Sequence, residues 1–192
     1  MGGYIGQILG ANYSRLVTTL TLISTTADHR PYMDATMSNC SNEYELPYPS
    51  QKFIKYIKMS KNNPPKNDEE FRSNQIEGWK MFFGGKLNEE DLHELVRLIN
   101  LSSKRNKNKF ASFNHGLAVV NSNNRLELIK KIKAPTLIIH GTDDVCFSSE
   151  HAILLNKSIS NSKLKIIEGM GHMFAFSQAD SISNEIFNFI NQ

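Results

Sequence analysis

The feature that most constrains the fold is the alternation of strand-like and helix-like segments in the last third of the chain. The apolar residues 136–140 predict a short buried strand, and residues 164–167 predict a second one. Residues 148–158, which begin with two serines suited to capping, predict a helix between these strands. Residues 180–189 predict a final amphipathic helix. Strands that alternate with helices in this way predict an α/β fold, in which a parallel sheet is connected by crossover helices.

The first two thirds of the chain combine one similar unit with a region of different character. Residues 1–11 predict a helix, and residues 17–23 (VTTLTLI) predict a strand with both faces covered. Residues 28 to about 75 are rich in Asn, Ser, Pro and Lys, and prolines interrupt any regular pattern there. Amphipathic segments at about 53–57, 68–83 and 88–99 still predict helices. A helical region is therefore expected between two groups of α/β elements.

Composition and charge narrow the class of protein. The chain has 192 residues, of which 40% are hydrophobic and 21% charged, as is ordinary for a globular domain. A net charge of +3 gives no reason to expect a nucleic-acid partner. The two cysteines, Cys40 and Cys146, match no metal or redox spacing and favour a reducing compartment. Neither a signal-peptide pattern nor an apolar run of membrane-spanning length is visible, so we expect a cytoplasmic protein with no membrane partner.

Two loops carry residues suited to catalysis. Asp144 follows the strand predicted at 136–140, and His172 lies in a Gly-rich turn after the strand predicted at 164–167. The carboxyl ends of parallel strands meet at one edge of a sheet, where ligands bind in open α/β folds. An Asp held against a His fixes the tautomer of the imidazole and stabilises its protonated form. Asp144 and His172 are therefore predicted to form the acid and base of a hydrolytic triad.

The same two loops resemble those of the α/β-hydrolase family, in particular its esterase- and lactonase-like serine hydrolases. Residues 132–144 (IKAPTLIIHGTDD) are similar to the family's strand and acid turn, and residues 168–172 (EGMGH) to its histidine turn. The resemblance implies that Asp144, three residues after the glycine, is the acid and that His172 is the general base. It also implies cofactor-independent hydrolysis of a small ester or lactone. The hydrolase core would comprise residues 1–27 and 116–192, with a helical cap at about 28–115.

The opening residues Met1-Gly2-Gly3 resemble the stretch directly after the family's nucleophile, which often reads Ser-Met-Gly-Gly. The resemblance implies an N-terminally truncated hydrolase, whose nucleophile (a serine, or an aspartate as in epoxide hydrolases) would precede Met1. Met1 would then hold the position whose backbone N–H helps to bind the oxyanion. We expect such a chain to be inactive alone, to expose the edge of strand 17–23, and to have an upstream complementary fragment as a possible partner. The alternative is a non-catalytic remnant, or an interaction protein that pairs through the same edge.

Other polar residues have simpler interpretations. Asp143 is expected to cap or face solvent, and His140 to pack or bond locally. His115 and His151 are expected at the surface or in the cap. A metal site made of His140, Asp143, His151 and His172 is conceivable, but it lacks the compact ligand spacing of metal motifs. No metal is therefore expected.

Three residues could be imagined as substitute nucleophiles. Cys146 follows the acid rather than forming a strand-to-helix elbow, so a small buried thiol is expected. Ser14 lies near a helix end, and Ser24 ends a strand without the glycines that let an elbow form. None of the three is therefore expected to attack a substrate.

Two patterns in the cap region concern binding rather than catalysis. The basic run at 103–109 has no interleaved aromatic residues, which favours a solvated helix end over a nucleic-acid site. Four aromatic residues could line an acyl or aromatic substrate pocket, or could form the cap's own core: Phe71, Trp79, Phe82 and Phe83. The sequence leaves both interpretations open.

Overall fold

The computed structural model describes residues 1–85, 87–105 and 111–192, without the side chains of 111–113. In this part of the chain the strands are β1 Leu20–Ile23, β2 Thr136–Gly141 and β3 Ser162–Ile167. The helices are α1 Gly2–Asn12, α2 Arg30–Thr36, α3 Gln51–Asn62, α4 Asp68–Phe82, α5 Glu89–Arg105, α6 Ala111–Val120, α7 Leu126–Ile129, α8 Ser149–Ser158 and α9 Ala179–Ile190, with 3₁₀ turns at Ser14–Leu16 and Phe176–Gln178. Residues 106–109 of the basic run lie outside the described residues.

The described strands form one parallel sheet in the order β1-β2-β3. Leu20 of β1 pairs with Thr136 of β2, and Thr136 pairs in turn with Ser162 of β3. Helix α8 connects β2 to β3, and the helical region connects β1 to β2. The predicted α/β class, with parallel strands and helical crossovers, is confirmed.

The core lies on both faces of the central strand, because successive side chains of a strand point to opposite faces. Every residue of β2 is buried. Ile138 packs on one face in a cluster that includes side chains of α7 and α8. Leu137 and Ile139 pack on the other face with Met170 and with Ile182 of α9. The near-continuous apolar run of β2 thus reflects helices covering both faces of the sheet.

Strand β1 differs from its prediction. It begins at Leu20 instead of residue 17, because the chain first makes the 3₁₀ turn Ser14–Leu16. Leu22 is its only buried residue, and the other three are partly exposed. Leu20 and Leu22 pack with the cluster on one face of the sheet and Ile23 with the cluster on the other, so both faces are covered, but only in part. The reason is its position: β1 is an edge strand of the described sheet, with α1 packed against it.

Residues 28–115 contain helices α2 to α5 and the start of α6, and no strand among those described. The buried side chain of Asp91 in α5 connects this helical region to the C-terminal part of the chain. Its Oδ1 accepts a hydrogen bond from the N–H of Ser177 at 2.9 Å, and its Oδ2 accepts one from the hydroxyl of Ser177 at 2.8 Å. The helical region therefore lies over the carboxyl edge of the sheet, beside the loop after β3. No helix in the described part of the chain is long and apolar enough to cross a membrane.

Candidate active site

Asp144 lies in the tight loop that follows β2 and precedes α8, and it is buried. Its Oδ1 accepts hydrogen bonds from the backbone N–H groups of Cys146, at 2.8 Å, and Phe147, at 3.0 Å. These two bonds hold the carboxylate in one orientation. The second oxygen, Oδ2, is left to face the loop after β3.

His172 meets that second oxygen. Its Nδ1 lies 3.0 Å from Oδ2 of Asp144, and its side chain keeps 28% of its surface exposed. A carboxylate oxygen accepts only, so Nδ1 carries the proton in this hydrogen bond. Nε2 is then the nitrogen free to take up or release a proton during a reaction. The structure thus brings together the two residues that the sequence singled out, and their catalytic roles stay predictions.

Glycines allow the loop of His172 to approach the rest of the site. Gly169 has a φ of 73°, a conformation that glycine adopts without strain. A side chain at Gly171 would meet the backbone at the end of α4, lying 2.5 Å from the carbonyl carbon of Phe83. The N–H of Met173 donates to the carbonyl of Phe82 at 2.9 Å. His172 is therefore held between the sheet and helix α4.

His140 supports the acid loop from inside. It is completely buried, and its Nε2 lies 2.8 Å from the carbonyl oxygen of Phe147. The same nitrogen lies 3.5 Å from Oδ2 of Asp144. Since a carbonyl only accepts, Nε2 of His140 carries a proton and presents it toward the loop. His140 therefore packs and bonds locally, in the manner expected from the sequence.

Two other titratable residues, Asp143 and Cys146, lie close to Asp144 and His172 in the sequence or in space. Asp143 is partly exposed and accepts a hydrogen bond from the hydroxyl of Thr142 at 2.9 Å. Burial raises the pKa of the Cys146 thiol, so this residue is a neutral thiol at ordinary pH. Asp144, Cys146 and His172 place possible ligand atoms within 4.8 Å of one another, the only such group of three among the described residues. The metal set suggested by the sequence, which includes Asp143, is not brought together.

His151 corrects one expectation. It is 1% exposed, with Nδ1 2.8 Å from the hydroxyl of Thr26 and Nε2 3.2 Å from the carbonyl of Pro47. The prediction of a surface or cap position is wrong, because α8 turns this side chain toward segments far away in the sequence. Burial lowers the pKa of His151, which favours its neutral form. His115, by contrast, is exposed on α6.

A cavity of about 480 Å³ opens beside His172. It is lined by residues from four parts of the chain, among them Met1, Gly3, Ser24, Trp79, Phe82 and His172. The ring of Phe82 lies 6.1 Å from that of His172, and the ring of Trp79 lies 5.9 Å from that of Phe82. Phe71, in contrast, is 57% exposed and lines a different surface cavity. The four aromatic residues of the helical region therefore do not line a single cavity.

Met1 and Ser24 contribute to the same cavity in different ways. Met1 directly precedes α1 and lines the same cavity as His172, and its proposed part in binding an oxyanion stays a prediction. Ser24 has a φ of 44°, which is unusual for a residue with a side chain, and its buried hydroxyl has no hydrogen-bond partner among the described residues. Ser14 lies in an exposed 3₁₀ turn outside this cavity. Sequence patterns gave no sign that Ser24 lines the site, because its position depends on how β1 pairs with β2.

Comparison with known proteins agrees with this architecture. A sequence profile of the alpha/beta hydrolase fold matches residues 1–179. A monoacylglycerol lipase from Mus musculus is 35% identical over 77 residues, which are 38% of this chain and 23% of the lipase. An alpha/beta hydrolase enzyme from a deep-sea metagenome superposes with a TM-score of 0.66 at 14% identity, covering 100% of this chain and 62% of that one.

An esterase from Exiguobacterium antarcticum superposes with a TM-score of 0.59 at 18% identity, covering 92% of this chain and 58% of the esterase. The chain thus spans about three fifths of these solved structures and a smaller share of the lipase. At identities this low, the superposed structures establish only a shared fold. The family is established by the sequence profile, which matches nearly the whole chain. The chain belongs to the alpha/beta hydrolase fold family.

Proposed function

We propose that this chain carries the acid and the general base of a hydrolase that acts on a carboxylic ester or lactone. The observation that carries the proposal is the hydrogen bond of 3.0 Å between Nδ1 of His172 and the buried carboxylate of Asp144. Asp144 orients the imidazole and stabilises its protonated form, while Nε2 takes a proton from an attacking hydroxyl. Nε2 then gives that proton to the leaving alkoxide, which leaves an acyl-enzyme. In the second step Nε2 takes a proton from an attacking water and returns it to the serine oxygen, so the protons balance over the full cycle.

The attacking serine, in this proposal, comes from a segment outside residues 1–192. The resemblance puts it directly before Met1, and Met1 and Gly3 line the same cavity as His172. In a longer polypeptide the backbone N–H of Met1 would help to stabilise the oxyanion that forms during attack. An ester or lactone substrate is supported by a cavity that places small, apolar and aromatic residues beside His172, and by the lipase and the esterase among the similar proteins.

Sequencing the DNA upstream of the Met1 codon is the first test. An in-frame or frameshifted Gly-x-Ser codon run is expected there. The polypeptide extended to include it should hydrolyse p-nitrophenyl butyrate and react with a fluorophosphonate probe at that serine. The 192-residue chain alone should not react, and labelling of Ser24, which lines the cavity, would contradict the assignment of the nucleophile.

Replacing the base separates catalysis from folding. His172→Ala in the extended polypeptide should lower kcat by at least about 10³-fold, since a triad that loses one member loses most of its catalytic effect. His115→Ala is the matched control, because His115 is exposed on α6 and lines neither this cavity nor the acid loop. Equal activity of both variants would refute the proposed role of His172.

A second candidate function, pairing with another polypeptide, is favoured by the edge of the sheet. The N–H of Leu20 donates to the carbonyl of Pro135, just before β2, at 2.9 Å, and the N–H of Ser24 donates to Ile139 of β2 at 3.0 Å. Because the backbone groups of successive residues alternate in direction, those of Thr21 and Ile23 face outward. Nearby on α1, Ile5 is 52% and Leu9 41% exposed, on one helix face. An edge with an apolar neighbourhood of this kind is a template for strand pairing.

Size-exclusion chromatography and thermal melting of the 192-residue chain test this second candidate. Self-association, or recovery of a cooperative melt on adding a complementary upstream fragment, is expected if the edge is an interaction surface. A monomer that melts cooperatively by itself would count against it. Non-coding DNA upstream of the Met1 codon would favour pairing over catalysis.

A further inference from the structure

A second cavity lies between helices α4 and α5, next to the candidate active site. It encloses about 410 Å³, a size typical of small-molecule pockets, which span roughly 300–1,000 Å³. Its walls are mainly apolar and include Trp79, Phe83, Leu95, Leu98, Ile99 and Met173. Because it lies between α4 and α5 and close to His172, this cavity is a candidate binding site for part of the substrate.

The two cavities share two side chains. Trp79 and Met173 line both the cavity beside His172 and the cavity between α4 and α5. Trp79 and Met173 are 36% and 37% exposed, so part of the surface of each is available to a ligand. A substrate that extends from His172 past Phe82 would therefore meet Trp79 and then enter the second cavity.

The floor of the second cavity decides which chemical group fits. Phe83, Leu95 and Ile99 are 5%, 3% and 6% exposed and belong to one hydrophobic cluster. A hydroxyl, amide or charged group placed on them would lose its hydrogen bonds to water without replacement. An aliphatic chain loses nothing of that kind and gains from the burial of its surface. Polar side chains also line the cavity, namely Gln75, Ser102 and Arg105.

We propose that this cavity binds a linear hydrocarbon chain of the substrate while the carbonyl group lies beside His172. The substrate class is then an ester with an aliphatic chain of medium length, and Leu98, Ile99 and Trp79 are residues that set chain-length preference. This inference rests on the proposed ester hydrolysis, which it deepens by naming the substrate class. Binding of the hydrocarbon chain can nevertheless be measured without catalysis.

The fluorescence of Trp79 provides the measurement, because Trp79 is the single tryptophan of the chain and lines the cavity. The 192-residue chain is titrated with butanol, hexanol, octanol and decanol, which cannot be hydrolysed. The dissociation constant should fall about fourfold for each added methylene that is buried, until the cavity is full. Bound decanol should also protect Trp79 from quenching by acrylamide. A dissociation constant that does not change with chain length would overturn the inference.

A substitution that fills part of the cavity provides a further test, together with a matched control variant. Leu98→Phe should weaken decanol binding by roughly fifteenfold if the ring displaces about two methylenes, and should leave butanol binding unchanged. Leu117→Phe is the control, because Leu117 is similarly exposed (45% against 38%) and lies on α6, away from this cavity. Equal effects of the two variants would overturn the inference, and a cooperative melt of each variant verifies that it is folded.

The two proposals can fail separately. A flat response of Trp79 to alcohol length, together with active hydrolysis of p-nitrophenyl butyrate by the extended polypeptide, would refute only the hydrocarbon site. Chain-length-dependent binding without hydrolysis by the extended polypeptide would refute ester hydrolysis and leave an apolar ligand site between α4 and α5.

Discussion

Replacing Asp144 by Asn changes one atom of the candidate site and should reverse the tautomer of His172. Oδ1 of Asp144 accepts two backbone N–H groups, so the amide oxygen of the Asn is expected to take that place. The amide nitrogen then replaces Oδ2 and faces Nδ1 of His172. Since an amide nitrogen only donates, Nδ1 must accept and the proton must move to Nε2. Nε2 would no longer be able to act as a base.

The size of the effect follows from the hydrogen bonds exchanged. The bond between Oδ2 and Nδ1 of His172 involves a charged, buried carboxylate and contributes about 1.5–3 kcal/mol. A neutral amide bond in its place contributes about 0.5–1.5 kcal/mol, so the net loss is about 1–2 kcal/mol. The two bonds favour opposite tautomers of His172, so their preferences add, and the tautomer ratio should change by about 2–4.5 kcal/mol, a factor of roughly 30–2,000. Because the Asn retains the backbone bonds, the fold should persist, and kcat of the extended polypeptide should fall about 10⁴-fold.

Two-bond ¹⁵N–¹H correlation spectra of the 192-residue chain report the tautomer directly. They are recorded at about pH 9, well above the ordinary histidine pKa of about 6.5. The chain has six histidines, so the signals of His172 are assigned with a His172→Gln variant. Asp143→Asn is the control, because it makes the same change one residue earlier, at a partly exposed carboxylate bonded to Thr142. An unchanged Nδ1–H tautomer in Asp144→Asn would refute the reasoning.

Three further predictions concern stability. Gly141→Ala should cost on the order of 2–3 kcal/mol in urea unfolding, because its methyl group would overlap the backbone of Met170. Gly116→Ala should be neutral or stabilising, because among the described residues no atom beyond the neighbouring backbone of its own helix lies within 4 Å of the added methyl group. The free energy of unfolding should fall as pH drops from about 7 to about 5. Burial lowers the pKa of His151 and His29 below the usual 6.5, so over this range the unfolded chain binds more protons than the folded chain. A free energy of unfolding that does not change with pH would contradict this prediction. Asp91→Ala should cost about 2 kcal/mol and speed proteolysis of the cap, because both bonds to Ser177 are lost; unchanged proteolysis would argue against that anchor.

Several elements were predictable because their signals are local. The apolar run at 136–140 became β2, and the predicted strand at 164–167 became β3 with two more residues at its start. The helices predicted at 148–158 and 180–189 were found within one residue of their expected ends. These elements combine a clear apolar pattern with capping or turn residues at their limits. Such signals depend on neighbours in the sequence, so they can be read without the tertiary structure.

Other features depended on residues distant in the sequence. His151 is buried because Thr26 and Pro47, more than a hundred residues earlier, supply its hydrogen bonds. In the described sheet, strand β1 is limited to Leu20–Ile23, the residues that pair with β2 more than a hundred positions later, and that pairing sets its length. The aromatic residues of α4 could equally have formed a core or a pocket. Packing against α5 and the loop of His172 decided that Trp79 lines both cavities.

The sequence by itself determined the chemistry of the candidate site: a carboxylate after one strand, an imidazole in a Gly-rich turn after the next, and their resemblance to one family. The tertiary structure decided what these residues can do together. Parallel pairing of β2 and β3 brings Asp144 and His172 to 3.0 Å although they are 28 residues apart. The physical reason is that composition and periodicity specify which faces are buried, whereas distances between side chains are set by long-range packing and hydrogen bonding.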